Sequence, residues 1–168
     1  EFRVSINLSY VQILKSPLMM ELKQMIEHSG ISCSGIIVEL TESGYLEGTP
    51  AVRSVWNDMK QLRIQIALDD FGTGYSNLMN ISNLEPDIVK LDRGFTLKAL
   101  SRSYEYQLMQ YVIEMVHKLN QYVCVEGVET KEDLEKIKAL GPDLIQGYYY
   151  SKPCSRDEFL KKFFGYSE

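Results

Sequence analysis

A chain of 168 residues with 45% hydrophobic content is long enough for one folded domain with a substantial core. Its formal charge of -5 argues against the basic surface that neutralises a polymeric nucleic-acid backbone, and leaves open a small phosphate ligand held through metal ions. No run of about 18 apolar residues marks a membrane span, and Glu1-Phe2-Arg3-Val4-Ser5 lacks the basic-then-apolar order of a secretion signal.

The expectation is a cytoplasmic domain without membrane contact of its own, any anchor being confined to other parts of a parent protein. Cys33, Cys124 and Cys154 are widely spaced and lack the Cys/His spacing of a zinc site, so they read as reduced thiols.

In chain order, a strand over 3–8 is followed by a helix opened by Ser16-Pro17, with apolar Leu18, Leu22, Met25 and Ile26 and a stop at Gly30. A strand over 36–40 precedes a helix starting at Thr49-Pro50 that buries Val52, Val55, Trp56 and Met59. Strands follow over 64–69 and 87–91, then a long helix near 103–120 repeating Leu108, Val112, Met115, Val116 and Leu119. After a strand over 122–126, Thr130 caps a helix that ends before Gly141-Pro142; a strand over 143–147 and a helix capped by Ser155 and running through Phe164 complete the chain. Strands alternating with helical patterns signify βαβ units around a parallel sheet, and six such units are legible.

Side chains alternate along a strand, and in an α/β barrel the reactive groups gather at the strand C-terminal ends. Parity sets Asn7 against Val4, Ile6 and Leu8, Glu39 against Val38 and Leu40, and Asp69 against Ile66 and Leu68. It likewise sets Lys90 against Val89 and Leu91, Glu126 against Val123 and Val125, and Gln146 against Ile145. Each carboxylate taken singly is as well explained as a solvent-facing or helix-capping strand end; all strands ending alike point to one mouth.

Three carboxylates on one buried face demand a compensating cation, because an unpaired buried charge costs several kcal/mol. Hard oxygen donors without histidine or thiolate favour Mg²⁺ or Mn²⁺, and adjacent Asp69-Asp70 suits one ion or two. Paired metals are a recurrent solution for phosphoester cleavage. His28 and His117 fall on helices away from the strand C-terminal ends and read as surface residues, and Tyr148-Tyr149-Tyr150 as packing and rim.

Ser5-Ile6-Asn7-Leu8-Ser9, Glu39-Leu40-Thr41-Glu42, Asp69-Asp70-Phe71-Gly72-Thr73-Gly74-Tyr75-Ser76, Val89-Lys90-Leu91-Asp92, Glu126-Gly127-Val128-Glu129-Thr130 and Gln146-Gly147-Tyr148 resemble, in order, the motifs of the EAL domains. The resemblance implies a modified (β/α)8 TIM barrel that hydrolyses cyclic di-GMP to linear pGpG with Mg²⁺ or Mn²⁺. By the same resemblance Asn7, Glu39 and Asp69 are first-metal ligands and Asp70 a second-metal ligand. Lys90 lies by the attacking water, with an ion pair to Asp70 or Asp92 as its structural alternative. Glu126 is the general base or a further ligand. Glu129 and Gln146 lie near the second metal and the site floor, Glu129 being equally a helix-capping carboxylate. Glu42 resembles the family residue that holds the loop from Phe71 to Ser76, and the resemblance implies that this loop, with Gly72, Thr73 and Gly74, links metal binding to dimerisation.

The family's opening Glu-Ala-Leu strand has no counterpart here, and a complete barrel has eight βα units in about 250 residues. Residues 1–168 are therefore expected to be an N-terminally truncated EAL domain, possessing about six units and itself of uncertain activity. Unpaired sheet edges predict a homodimer or other self-association. Flanking signalling domains are expected in the parent. The alternative function is a non-catalytic cyclic di-GMP sensor or protein-interaction module.

Overall fold

The computed structural model describes residues 2–14, 17–41, 50–73, 81 and 85–165. Six parallel strands form one sheet in sequence order: β1 (Val4–Asn7), β2 (Ile36–Thr41), β3 (Gln65–Phe71), β4 (Ile88–Leu91), β5 (Tyr122–Glu126) and β6 (Leu144–Gln146). Around them run α1 (Tyr10–Leu14), α2 (Leu18–Ser29), α3 (Pro50–Gln61), α4 (Arg93–Ser101), α5 (Ser103–Lys118), α6 (Lys131–Lys138) and α7 (Arg156–Phe164). This is the α/β architecture expected from the alternating patterns, in the form of a partial barrel with β1 and β6 as its edges.

The two faces of the sheet carry different chemistry because strand side chains alternate. Val38, Leu40, Ile66, Leu68, Val89, Leu91, Val123 and Val125 pack outward on the helices, against Leu22, Ile26, Val52, Trp56, Met59, Ile113 and Ile137 among others. On the inner face Ile37, Ala67, Ile88 and Cys124 form a separate buried layer.

Two Pro-Asp turns fix strand register from below. The Asp87 carboxylate accepts the Ile66 backbone N–H at 2.8 Å, and the Asp143 carboxylate accepts that of Val123 at 2.8 Å. Each thereby satisfies the backbone donor of a fully buried strand residue, which is costly to leave unpaired.

The helix ends follow their sequence signals. Thr130 and Ser155 each form a reciprocal capping box, with Asp133 and Glu158 respectively, and Gly30 closes α2 in the left-handed conformation. No described helix is long and apolar enough to cross a membrane.

The helix expected near 103–120 is present as α5, but one helix is not among those expected and two helix faces differ from the apolar pattern. The helix expected from 103 is preceded by α4, whose signal is Asp92: its carboxylate accepts the backbone N–H groups of Gly94 and Phe95 at 2.7 and 3.3 Å. In α5 the fully buried stripe is Met109, Ile113 and Val116, while Leu108 and Leu119 are 42% and 49% exposed. Both stripes obey the 3.6-residue period one position apart, so only packing against the sheet selects between them. In α2, Met25 of the apolar pattern is exposed, while Leu22 and Ile26 are buried.

Met109→Ala is expected to cost about 3 kcal/mol by opening a core cavity, and Leu108→Ala less than about 1 kcal/mol. Urea unfolding of the two variants measures the difference; equal losses would contradict the observed face.

Candidate active site at the strand C-terminal ends

Two residues beyond the inner apolar layer, the same face turns charged: Ile37 is followed by Glu39, Ala67 by Asp69, Ile88 by Lys90 and Cys124 by Glu126. In register beside them at the sheet edges stand Asn7, opposite Glu39, and Gln146, opposite Glu126. Strand alternation thus places these six predicted polar residues on one face, and strand register brings them to one mouth.

Their centre is the Lys90 ammonium. Its Nζ lies 2.7 Å from Glu39 Oε2, 3.0 Å from Asp69 Oδ1 and 2.7 Å from Glu126 Oε1, with the Lys90 side chain 5% exposed. The alternative partners anticipated for Lys90 are not used: Asp92 caps α4, and Lys90's ion pairs go to Glu39, Asp69 and Glu126.

One cation facing three carboxylates leaves a surplus of negative charge. Burial pushes the Glu126 carboxyl above its ordinary range, despite the opposing hydrogen bond from Lys90. Burial works to lower Lys90, but the hydrogen bonds it donates to Glu126 and Glu39 outweigh it and the lysine holds its proton above the ordinary value of 10.5. Beneath this layer, burial pushes the Cys124 thiol up to about 12, which makes it packing rather than a nucleophile.

Asp70 is reached through an irregularity. The β3–β4 register shifts between Leu68 and Phe71, and Asp70 adopts a left-handed φ of +60°, a strained conformation for a residue with a Cβ. Its amide donates to Asp69 Oδ1 at 3.0 Å. Burial first, then the charges of Asp69 and Asp92, raise the Asp70 carboxyl. The bulge brings consecutive acids to the mouth, where regular alternation would point them to opposite faces.

Of the remaining expected residues, Gly72 has φ +102° and lies against the Phe95 ring, and Thr73 is exposed beside it. Glu42 and Gly74 lie outside the described residues. Glu129 accepts from the Arg93 guanidinium, Nη2 at 2.8 Å and Nε at 3.2 Å. His28 and His117 lie away from the mouth, His117 meeting Asp143 at the foot of β6 at 2.9 Å.

Sequence reasoning passed over Arg93; the signal was its position three residues beyond Lys90, matching that of Glu129 beyond Glu126. It also passed over a cleft of about 770 Å³ along the inner face, lined by Glu39, Lys90 and Gln146 and by Tyr148, Lys152 and Phe159 on the far side.

Among the described residues, no three Asp, Glu, His or Cys side chains surround a common point as a ready metal cage. The expected compensating cation is supplied in part by Lys90. The donors nonetheless fit a hard divalent ion in chemistry and charge: carboxylate oxygens from Glu39, Asp69, Asp70 and Glu126 and an amide oxygen from Asn7, against a single lysine.

A family model described as EAL domain matches residues 1–153. Cyclic di-GMP phosphodiesterase PdeF of Escherichia coli K12 is 32% identical over 151 residues, covering 90% of this chain and 20% of its own. The EAL enzyme Bd1971, solved with cAMP and cyclic di-GMP bound, superposes with a TM-score of 0.89 at 31% identity, covering 95% of this chain and 42% of that one. Klebsiella pneumoniae BlrP1, solved as a manganese/cyclic di-GMP complex, gives 0.83 at 25% identity, covering 90% and 39%. The chain spans between about a fifth and less than half of the length of the curated relatives it matches.

Lys90→Met is expected to destabilise the fold by about 3 to 5 kcal/mol, because it strands buried carboxylates. Adding Glu126→Gln and Asp69→Asn should recover part of the loss. Because the folded protein holds the Lys90 proton more tightly than the unfolded chain does, this stabilisation is complete below pH 10.5 and declines as the pH rises above it. Urea midpoints of the native chain and Lys90→Met should therefore converge above pH 10.5, and a constant gap would contradict the assignment.

Proposed function

The chain belongs to the EAL domain family, and from that premise we propose that its mouth serves divalent-metal-dependent hydrolysis of cyclic di-GMP to linear pGpG. The observation that carries this reading is the convergence of Glu39, Asp69 and Glu126 on Lys90 at the strand C-terminal ends. The names of PdeF and Bd1971 support the substrate, and the manganese complex of BlrP1 supports the metal class.

Asn7, Glu39 and Asp69 would hold one Mg²⁺ or Mn²⁺ and Asp70 a second. When bound, such ions polarise the phosphodiester and make water more acidic. Glu126 is the proton acceptor in this reading: it stands at the mouth beside Asp69 and Lys90, and burial raises its carboxyl above the ordinary value, which makes it a stronger base. As the water oxygen bonds to phosphorus, the P–O3′ bond breaks and a proton ends on the leaving 3′ oxygen. Lys90, fixed by three carboxylates, offsets negative charge gathering near phosphorus. Glu129 and Gln146 would border the substrate, and Glu42 would hold the loop that carries Gly72, Thr73 and Gly74, through which the metal site would be coupled to self-association.

The working domain in this reading is a closed barrel to which the chain contributes six βα units, within a cytoplasmic signalling protein carrying flanking domains. Among the described residues β1 and β6 are the edge strands of the sheet, and self-association of this chain through them is part of the proposal.

The test is chromatographic detection of linear pGpG from cyclic di-GMP in the barrel that carries this sequence, with Mg²⁺ or Mn²⁺ and with EDTA. Asp69→Asn and Glu126→Gln should each lower kcat by about 100-fold or more while leaving the fold intact. Tight cyclic di-GMP binding without product would replace the enzyme by a sensor. Light scattering of the chain at about 100 μM should give a mass above the monomer, and a monodisperse monomer would end the association proposal.

A further inference from the structure

β4 and β5 and the segments that follow them carry two ion pairs in the same order. Lys90 on β4 and Glu126 on β5 form the inner pair at 2.7 Å; three residues further along the chain in each case, beyond the strand ends, Arg93 and Glu129 form the outer pair at 2.8 Å. The inner pair is buried or nearly so, whereas Arg93 and Glu129 are 57% and 39% exposed.

The two sides of the outer pair differ in rigidity. Arg93 begins α4, whose first turn is held by the Asp92 carboxylate through Gly94 and Phe95. Glu129 ends a short connection in which Glu126 is followed by Gly127 at φ +79°. Glycine is needed there twice over, for that torsion and because a Cβ would collide with Cγ and Cβ of Arg93, whose stem lies across the peptide. The next residue, Val128, is fully buried, donates its N–H to Gln146 O at 3.3 Å and accepts from Tyr149 N at 3.0 Å.

Between the catalytic carboxylate and its first firm anchor there is thus a single glycine, and Arg93 bridges it from a fixed helix start. We propose that Arg93 is a positioning residue: by gripping Glu129 and covering Gly127 it holds Glu126 against Lys90, so that the outer ion pair sets the geometry of the inner one. This deepens the reading of the mouth as a hydrolytic site and rests on it for its catalytic meaning. The geometric claim stands on the ion pairs alone.

An exposed pair adds little to global stability, whereas partners behind a metal-ligating or reacting group set affinity and rate by about 10- to 100-fold. That contrast makes the proposal testable in the native chain without metal. A buried lysine ammonium held by three carboxylates exchanges its protons slowly and gives its own ¹⁵Nζ resonance. Arg93→Met should shift or broaden the Lys90 resonance while moving the melting temperature by no more than about 3 °C, and Arg93→Lys, which retains a cation within reach of Glu129, should restore most of it. In a Mn²⁺ titration followed by electron paramagnetic resonance, Arg93→Met should bind about 10-fold more weakly than the native chain. An unchanged Lys90 resonance in Arg93→Met overturns the proposal, as does a change accompanied by a proportionate loss of global stability, or a native chain with no protected Lys90 signal. Absence of Mn²⁺ binding in a native chain that retains that signal counts against the metal-dependent reading instead.

Discussion

The arrangement of the mouth depends on one constraint, a buried ammonium that three strands must satisfy together. Lys90 sits at the end of β4, and its partners come from β2, β3 and β5, so each strand's register affects whether the charges meet. Removing one group from such a cluster leaves the others desolvated and unpaired, which makes the cluster far less tolerant of change than its hydrogen-bond count suggests. The surplus of negative charge around Lys90 is also what makes the site receptive to a hard cation.

The sheet separates this chemistry from the work of folding. Its outer face holds the helices through branched aliphatic side chains, and its inner face rises from the layer of Ile37, Ala67, Ile88 and Cys124 to the charged rim. Folding therefore tolerates an unfavourable inner rim because the outer face supplies the burial. Asp70 is a second departure from local preference at the same place, since its left-handed backbone and raised carboxyl are both unfavourable by themselves. Concentration of such departures at one end of a barrel is the pattern expected of a functional mouth.

Rigidity at the mouth is graded. Lys90 is gripped on three sides and Asp92 fixes the helix start behind it, whereas the connection after Glu126 relies on a glycine turn followed by the buried Val128. The tie between Arg93 and Glu129 joins the firmer connection to the looser one, and Gly147, packed on the Val128 backbone, joins both to the end of β6. Three successive strand-end connections are in this way linked above the carboxylates.

Much of this was legible in the residues alone. Strand alternation is strictly local, so the parity of Asn7, Glu39, Asp69, Lys90, Glu126 and Gln146 assigned all six to the inner face without knowledge of the fold, and the caps at Thr130 and Ser155 follow from local chemistry in the same way. What required tertiary structure were choices between locally equivalent alternatives. Leu108 and Met109 satisfy the same helical period, and only the sheet's position buries the second; Asp70, Asp92 and Glu126 are all carboxylates near Lys90 in the motifs, and only the register of neighbouring strands selects Glu126. The sequence by itself determined which groups face inward, because that depends on the pleat of each strand; the tertiary structure decided which of them touch, because a contact depends on the relative heights of strands far apart in the chain.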